Sequence, residues 1–414
     1  MPDAAEIAAQ LEPVVRATFE AHWRPPGYTC PNASVYPWQW LWDSCFHAVV
    51  WAELGDAERS LAEMSTVFAG QDPDTGFVPH VGYHGDPAHL EAFWGRPGFS
   101  SITQPPLYGW ALCELALRGI VPPRQLVAKA SAGLEFLLEH RARTAEGLVT
   151  LVHPWESGAD DSPRWDGLLG GPWDRTRWRE VKGELLGSVV RSSSGAPLAN
   201  SALGVASTAF NALIAHDAIA LADLVDRAGL AGRAGVSGSA RLRERALELI
   251  AALAGRWTAT AATWVDAGPT SGSSGGIRTL EGLLPLLVEQ DPARRAAVAA
   301  SLSDPGAHGG GRYGPTGVAR SEPSFAPGSY WRGPTWPQLD FLLWTSLRSD
   351  ADPAHRALAD DLAVAVAAGA LGSGLAEYWD PDDGTGGGAA PQSWTALAWV
   401  MARRSDPPPD LGDG

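Results

Sequence analysis

The segment "HPWESGADDSPRWD" (153–166) places acidic side chains between large aromatic ones. Glu156, Asp160 and Asp161 lie close together in it, with Trp155 and Trp165 on either side. Like charges repel, so this arrangement does little for a purely structural loop. An acid enclosed by apolar rings has a raised pKa and can stay protonated, which suits it to protonate a glycosidic oxygen. The segment therefore favours a sugar site with an acid catalyst over its alternative, a solvated acidic turn.

A second acid among aromatic residues occurs in "GLAEYWDPDDGTGGG" (374–388), where Glu377 precedes Tyr378 and Trp379. Hydrolysis of a glycoside requires two carboxyl groups that flank the scissile bond, and Asp160 with Glu377 is predicted to be that pair. Tyr378 is a candidate to contact the substrate. The letters "DPDDG" have the wrong spacing for an EF-hand loop, so they predict a turn, and no metal or cofactor is predicted.

A third stretch, "YPWQWLWDSCFH" (36–47), places Asp43 directly after Trp40 and Trp42 at the start of an apolar run. Tryptophan offers a wide apolar face and an N–H donor, a combination that suits stacking against a sugar. The pattern predicts that Asp43 accepts hydrogen bonds from sugar hydroxyls beside an aromatic wall. The alternative is that Asp43 is only the N-terminal cap of a helix.

A fourth stretch, "GSYWRGPTWPQLDFLLW" (328–344), combines aromatic faces with one cation. Its candidate substrate contacts are Tyr330, Trp331, Arg332, Trp336 and Gln338. The guanidinium of Arg332 would supply a fixed positive fork. The alternative is a helix N-terminus with ordinary aromatic packing.

Other chemistries lack their sequence signals. The chain has no P-loop and no dinucleotide-binding fingerprint that opens a helix after a strand. Its ten histidines show no metal-binding spacing of the H-E-x-x-H kind. The stretch "SGSSGG" (271–276) has no strand before it, which disfavours a nucleophile elbow.

The elements that must position these residues are predicted to be helices. Apolar residues recur with helical spacing, and alternating β-branched runs are few. Helices are expected at about 4–22, 41–54, 56–70, 105–118, 122–141, 172–187, 202–228, 239–259, 278–288, 290–302, 335–348, 353–369 and 391–404. Long loops at about 71–104, 143–171, 303–334 and 372–390 carry the aromatic and acidic residues. This pattern predicts an all-α fold, an (α/α)6 barrel of six helix pairs with the loops at one mouth. Residues 1–404 would form a single catalytic domain, and residues 405–414 a frayed tail.

Composition limits the range of partners. The formal net charge is −16, and Lys129 and Lys182 are the only lysines among 414 residues. Nucleic acid and anionic membranes are therefore not expected as partners, whereas a small-molecule glycoside is. Three cysteines, no apolar segment at the start and no window long enough to span a membrane predict a cytoplasmic protein with free thiols. Oligomerisation is left open.

The motifs "WQWLWDSCFH", "GFVPH", "WESGADDSPRWD", "SYWRGPTWPQL" and "AEYWDP…G…PQSWTAL" occur in this order. Together they resemble glycoside hydrolase family 63 and the trehalase-like clan, most closely the bacterial mannosylglycerate and glucosylglycerate hydrolases, over residues 36–400. The resemblance implies an (α/α)6 barrel and inverting hydrolysis, with Asp160 as general acid and Glu377 as general base. It also implies that the sugar is held or lined by Trp42, Asp43, Gln104, Tyr330, Trp331 and Trp336.

The chain departs from this family in two places. In the glycerate-specific relatives, an arginine and a tyrosine after the general acid clamp the glycerate carboxylate. The corresponding stretch here, "REVKGELLGSVVRSSSGAPLAN" (179–200), offers Arg191 as the candidate clamp but contains no tyrosine. Asp161 stands where relatives often have asparagine. The aglycone therefore stays an open question.

The sequence thus predicts an inverting α-glycosidase that acts on a small glucoside or mannoside, with glucosylglycerate or mannosylglycerate as the expected substrate. One alternative is a sugar epimerase or isomerase on the same barrel, which would move a proton with paired histidines. His47, His80 and His153 are the candidates for that chemistry. The other alternative is a catalytically inactive carbohydrate-binding protein.

Overall fold

The computed structural model describes residues 3–85, 88–233, 235–268 and 276–404. This part of the chain is mainly helical, as predicted. Its α-helices are α1 (Ala4–His22), α2 (Leu41–Glu53), α3 (Ala57–Val67), α4 (Ala88–Trp94), α5 (Tyr108–Leu117), α6 (Arg124–Glu135), α7 (Arg175–Gly187), α8 (Thr208–Arg227), α9 (Ser239–Ala254), α10 (Pro292–Ser303), α11 (Pro337–Arg348), α12 (Pro353–Gly372) and α13 (Leu397–Arg403).

The strands of the described residues are short and pair as antiparallel ribbons of two. The pairs are β1 (Trp23–Arg24) with β2 (Tyr28–Thr29), β3 (Gln39–Trp40) with β4 (Val81–Gly82), β5 (Val190–Arg191) with β6 (Pro197–Ala199), β7 (Trp257–Thr258) with β8 (Thr263–Trp264), and β9 (Tyr378–Trp379) with β10 (Gly386–Gly387). These ribbons shape loops rather than form a layer, so the fold class is all-α.

The helices fall into two groups by burial. Five helices are buried on most of their faces: α2, α5, α8, α11 and α13. Five others bury one side only: α3, α6, α9, α10 and α12. The two groups alternate along the chain once the buried 3₁₀-helix Leu280–Leu287, which lies between α9 and α10, is counted with the first group. α2 packs against α3 and α5, α8 against α5 and α9, and α11 against α12. α1 packs against α12 and α13, which brings the first helix beside the last.

Local sequence explains where the helices begin. The Asp3 carboxylate accepts the backbone N–H of Glu6 at 2.8 Å and caps α1. The Ser207 hydroxyl likewise accepts the N–H of Phe210 and caps α8. By length and composition α8 is apolar enough to cross a membrane, but 78% of its apolar window is buried inside the fold. It is therefore a core helix, and its length and composition correct the expectation that no segment is long and apolar enough to span a membrane.

Three predicted boundaries need correction. α4 lies inside the predicted loop 71–104. The segment Leu280–Leu287 is a 3₁₀-helix with Pro285 inside it, because proline lacks the N–H that a continuous α-helix needs. The predicted helix 122–141 becomes a π-helix at Phe136–His140. The predicted tail, 405–414, lies outside the described residues.

The buried helices position the site through the loops at their N-terminal ends. Trp40 is the N-cap of α2, Leu107 that of α5 and Trp336 that of α11. Gln392 precedes the 3₁₀ turn Ser393–Ala396, which leads into α13. Residues from the loops before α2, α5, α11 and α13 line one common cavity.

All three cysteines are free and buried, as predicted: Cys30, Cys45 and Cys113.

Candidate active site

The cavity has a volume of about 350 Å³, in the range of pockets that hold small molecules. Eight of the residues predicted for the site lie on its walls: Trp40, Trp42, Asp43, Gln104, Asp160, Tyr330, Trp331 and Glu377. The structure thus brings both predicted catalytic carboxyl groups to one space, although 217 residues separate them along the chain (377 − 160).

Glu377 lies directly before β9 and is held through both of its carboxylate oxygens. Oε2 accepts the backbone N–H of Ala389 at 2.9 Å, and Oε1 accepts the hydroxyls of Tyr36 at 3.1 Å and Tyr330 at 3.4 Å. Burial raises the pKa of Glu377, while these hydrogen bonds oppose the rise. Gly388 has a φ of +72°, and a Cβ there would collide with Oε2, so glycine is required.

Asp160 follows a short 3₁₀ turn, Pro154–Ser157, that ends at Gly158 with a φ of 77°. A Cβ at Gly158 would collide with the ring of Trp42, so this close approach also requires glycine. The Oδ2 atom of Asp160 accepts the Trp155 indole N–H at 3.1 Å and the Lys182 ammonium at 2.8 Å. Its side chain is 21% exposed, which leaves it accessible from the cavity.

Asp43 lies in the first turn of α2 and is 2% exposed. The cap of this helix is Trp40, which makes no side-chain capping bond, so the structure does not place Asp43 at the cap position. Burial, together with the nearby charge of Glu377, raises the pKa of Asp43 to about 8. At neutral pH the group is therefore protonated, and it can donate as well as accept a hydrogen bond from a sugar hydroxyl.

Trp331 forms one aromatic wall. Its ring stacks on Trp336 with centroids 3.6 Å apart and planes 5° apart. Its φ of 56° is unusual for a bulky residue, and such backbone strain persists only where the surroundings impose it. The stack holds Trp331 in place against the cavity.

Five predicted contact residues are absent from the cavity lining: Arg191, Arg332, Trp336, Gln338 and Tyr378. Trp336 is fully buried behind Trp331, and Tyr378 packs behind Tyr330 with ring centroids 5.5 Å apart. Gln338 is fully buried in α11. Trp336 and Tyr378 therefore support the wall instead of forming it.

The two arginines of this group are held by other parts of the protein. Arg332 makes a two-pronged ion pair with Asp166 and lies over the ring of Trp173, 4.4 Å from its centroid. Its positive charge is thereby compensated within the protein. Arg191 lies in β5 and donates to the carbonyl oxygens of Ser101 and Gly195.

Several cavity residues have buried polar atoms without a hydrogen-bond partner among the described residues. They are Trp40 Nε1, Gln104 Oε1, Trp331 Nε1 and Gln392 Oε1. Buried polar groups are costly unless they are paired. A ligand rich in hydroxyl groups, such as a sugar, would satisfy donors and acceptors of this kind.

The histidines do not form a pair at the cavity. His80 lines it, whereas His47 bonds to Ser393 at 2.7 Å and His153 bonds to the Lys182 carbonyl at 2.9 Å. Burial lowers the pKa of each of these three histidines to about 3, so they stay neutral. The arrangement does not support proton transfer between paired histidines.

Sequence reasoning left ten cavity residues out of the predicted site: Pro31, Tyr36, Trp38, His80, Tyr83, Trp94, Trp155, Gly158, Gln392 and Trp394. Seven of them stood inside the quoted motifs, so their positions were visible but their roles were not: Tyr36, Trp38, His80, Trp155, Gly158, Gln392 and Trp394. Tyr36 bonds to a residue 341 positions away, and no local spacing reveals such a pair. The predicted turn is present at Asp380–Gly384, where Asp380 accepts the N–H of Asp382 at 2.9 Å.

Comparison with known proteins gives consistent matches. The family model described as "Mannosylglycerate hydrolase MGH1-like glycoside hydrolase domain" matches residues 36–395. A mannosylglycerate hydrolase from Thermus thermophilus is 30% identical over 413 residues, which cover 90% of this chain and 96% of that protein. Glucosylglycerate hydrolase from Mycolicibacterium hassiacum is 32% identical over 160 residues, 32% of this chain and 34% of that protein.

A solved structure also matches almost end to end. The crystal structure of a GH63 mannosylglycerate hydrolase in complex with Tris, from another strain of Thermus thermophilus, superimposes with a TM-score of 0.81 at 26% identity. The match covers 96% of this chain and all of that one.

Proposed function

Because this chain belongs to the MGH1-like glycoside hydrolases of family GH63, we propose that it is an inverting α-glycosidase acting on a small glucoside or mannoside. Asp160 is the general acid and Glu377 the general base. The observation that carries this assignment is their placement on the walls of one aromatic cavity of about 350 Å³. An inverting enzyme needs about 6.5–9.5 Å between the two carboxyl groups to admit a water molecule.

The reaction moves two protons in one displacement. Asp160 gives its proton to the glycosidic oxygen while the bond from that oxygen to the anomeric carbon breaks. A water molecule attacks the same carbon from the opposite face, and Glu377 takes a proton from it. The products are a free sugar of inverted anomeric configuration and the aglycone alcohol. Trp42, Asp43 and Gln104 hold the sugar during this step.

A glycerate aglycone is supported by relatives named for mannosylglycerate and glucosylglycerate. A carboxylate on the aglycone needs a cation near the cavity, and none of the described lining residues is an arginine or a lysine. Arg191 is the candidate. It is half-buried, it makes no ion pair within the described part of the chain, and burial lowers its pKa. A bound carboxylate would supply the counter-charge that Arg191 lacks.

The architecture that we propose is a closed (α/α)6 barrel in a single domain over residues 1–404. The 3₁₀-helix Leu280–Leu287 is the fourth inner segment, after α2, α5 and α8 and before α11 and α13. These six buried segments alternate along the chain with the outer helices α3, α6, α9, α10, α12 and α1. The contact of α1 with α13 supports closure of the ring. A reducing, cytoplasmic setting is supported by the three buried free thiols.

A substrate screen with product analysis tests the proposal. Mannosylglycerate, glucosylglycerate, trehalose and short α-glucans are incubated with the wild type, and proton NMR follows the first anomer released. We expect hydrolysis of a glycerate-linked sugar with inversion, and loss of nearly all turnover in the folded Asp160→Asn variant, because an amide cannot donate this proton. Interconversion of free sugars would instead indicate an epimerase, and binding without turnover an inactive sugar-binding protein.

A further inference from the structure

Lys182, on α7, contacts the general acid and its neighbour at the same time. Its ammonium lies 2.8 Å from Asp160 Oδ2 and 2.8 Å from Asp161 Oδ1. The lysine side chain is 11% exposed and lies 5.7 Å from the ring centroids of both Trp155 and Trp178. We infer that Lys182 is a positioning residue that, together with Asp161, controls proton donation by Asp160.

A general acid that contacts an ammonium is subject to two opposing requirements. A general acid must be protonated before the reaction, but an ammonium at hydrogen-bond distance favours the ionised carboxylate. A lysine bonded to Asp160 alone would therefore remove the proton too early. Asp161 resolves the conflict because its own carboxylate can neutralise Lys182.

Counting charges shows why the cluster takes up one proton. One ammonium and two carboxylates leave one negative charge in a largely buried place, and uptake of a single proton makes the group neutral. The Asp161 Oδ1 atom accepts from both Lys182 and the Trp178 indole at 3.0 Å, which ties Asp161 to the protein. Asp160 is the member on the cavity wall, so its carboxyl group is where the proton is useful.

The geometry also fixes which oxygen carries the proton. The bonds from Trp155 and Lys182 both end on Asp160 Oδ2. Oδ1 receives neither, so it is the oxygen that we assign to the proton. When that proton leaves with the aglycone, the new carboxylate of Asp160 is already paired with Lys182. Lys182 thus stabilises the ionised form of Asp160 that follows proton transfer, whereas the charge of Asp161 stabilises the protonated form that precedes it.

The other titratable groups around this cluster leave its balance intact. His153 bonds to the Lys182 carbonyl on α7, and burial lowers its pKa to about 3. Burial raises the pKa of Tyr36 and the pKa of Tyr330 above the ordinary value. All three groups therefore stay neutral. Glu377 faces Asp160 from the other wall and is ionised during catalysis. Asp43, with a pKa of about 8, also titrates in this cavity.

The charges of the cluster act on both partners of Asp160, and the raised pKa of Asp161 means that the two carboxyl groups compete for the single proton. Burial alone would lower the pKa of Lys182, but the attraction of Asp160 and Asp161 outweighs it and raises the value. Lys182 therefore keeps its charge. Burial and the charge of Asp160 raise the pKa of Asp161.

The inference rests on the proposed function, and pH profiles of kcat/KM test it. The substrates are mannosylglycerate or glucosylglycerate and the matching α-glycosyl fluoride, whose leaving group needs little protonation. On the glycerate glycoside, we expect the alkaline limb of Lys182→Met to move up by about one pH unit or more, because the cation that favours ionisation is gone. Asp161→Asn should move it down by a similar amount, and the double variant should return near the wild type.

The fluoride and a second lysine serve as controls. Ionisation of Asp43 affects both substrates, so a shift that appears with the glycoside and not with the fluoride reports the proton of Asp160. Lys129→Met is the matched variant: Lys129 lies on α6, donates to the Phe68 carbonyl at 3.1 Å and is absent from the cavity wall. It should leave both profiles unchanged.

Three results would overturn the inference. The first is a folded Lys182→Met enzyme whose alkaline limb stays at the wild-type position. The second is an equal loss of rate on glycoside and fluoride without a shift, which would mean that Lys182 only supports the loop. If Lys182→Met does not fold, an unshifted limb in Asp161→Asn decides against it. A wild type that hydrolyses neither substrate would overturn the proposed function as well.

Discussion

The carboxylate of Glu377 is bound on both oxygens before any substrate arrives. Oε1 accepts two phenol hydroxyls, and Oε2 accepts one backbone N–H. A carboxylate oxygen offers about two acceptor sites, so Oε2 retains one for the attacking water. In the mechanism that we propose, the attacking water is placed by a carboxylate whose own orientation is fixed by Tyr36, Tyr330 and Ala389.

Removal of one of these hydroxyls should shift the acid limb of the pH profile. The base must be ionised, so activity falls as the pH drops through the pKa of Glu377. The Tyr36 hydroxyl favours the ionised form, and Tyr36→Phe should therefore raise that pKa. We expect the acid limb of kcat/KM to move up by about one to two pH units, since a hydrogen bond to a charged group contributes about 1.5–3 kcal/mol.

Tyr313→Phe is the matched control, because Tyr313 packs against Gly384 and is absent from the cavity wall. Its acid limb should coincide with that of the wild type. An unshifted limb in Tyr36→Phe would mean that the hydroxyl does not stabilise the ionised base.

At the scale of single elements, the ribbon of β5 and β6 determines where Arg191 lies. Arg191 donates to the carbonyls of Ser101 and Gly195, and Ser101 is three residues from Gln104 on the cavity wall. A cation that is bound only by carbonyls remains free to pair with an anion. In the function that we propose, recognition of the aglycone depends on this ribbon.

Arg191→Met should reduce the preference for charged aglycones. The wild type is expected to hydrolyse glycerate-linked sugars roughly ten- to a hundredfold faster than glycerol-linked ones, corresponding to about 1.5–3 kcal/mol for a charged hydrogen bond. The variant should lose that preference while its rate on the glycerol glycoside changes little. Steady-state kinetics on the two substrates measure the effect.

Arg143→Met provides the comparison, because Arg143 is also a half-buried arginine that donates to two carbonyls, those of Leu138 and Gly147, away from the cavity wall. Equal wild-type rates on both glycosides would indicate a neutral leaving group and no clamp.

Across the whole molecule, periodicity revealed the helices and local motifs revealed much of the cavity. α1, α2 and α8 follow from apolar spacing, because burial of one face or of all faces leaves a direct trace in the sequence. Which side chains meet was harder to predict. Arg332 looked like a substrate fork, yet Asp166, 166 positions away, binds it. Lys182 carried no local sign of its contact with Asp160, because that contact exists only once α7 packs against the loop.

Buried acids should make the folded protein less stable at alkaline pH. Burial raises the pKa of Glu63, a fully enclosed residue, to about 8. Its contribution to stability is fully present below the ordinary value of 4.5 and is lost as the pH rises toward 8. Glu63→Gln should therefore gain stability relative to the wild type between about pH 5 and about pH 8, by about 2–4 kcal/mol.

Denaturant unfolding at both pH values measures this difference. Glu12→Gln, at a side chain that is 42% exposed, serves as the reference for loss of a surface carboxylate. A difference between Glu63→Gln and the wild type that is the same at both pH values would contradict the expected titration.

The contact of α1 with α12 and α13 means that the first and the last described helices meet along a non-covalent seam, and the cavity lies across it. Backbone carbonyls accept bonds across this seam near the cavity, since the Ser393 N–H donates to the Pro31 carbonyl and the Asn32 amide to that of Pro391. Tyr36 belongs to one side and Glu377 to the other. Fraying of the seam would part the base from its phenol while most helices stayed intact, so catalysis should fail before the fold melts.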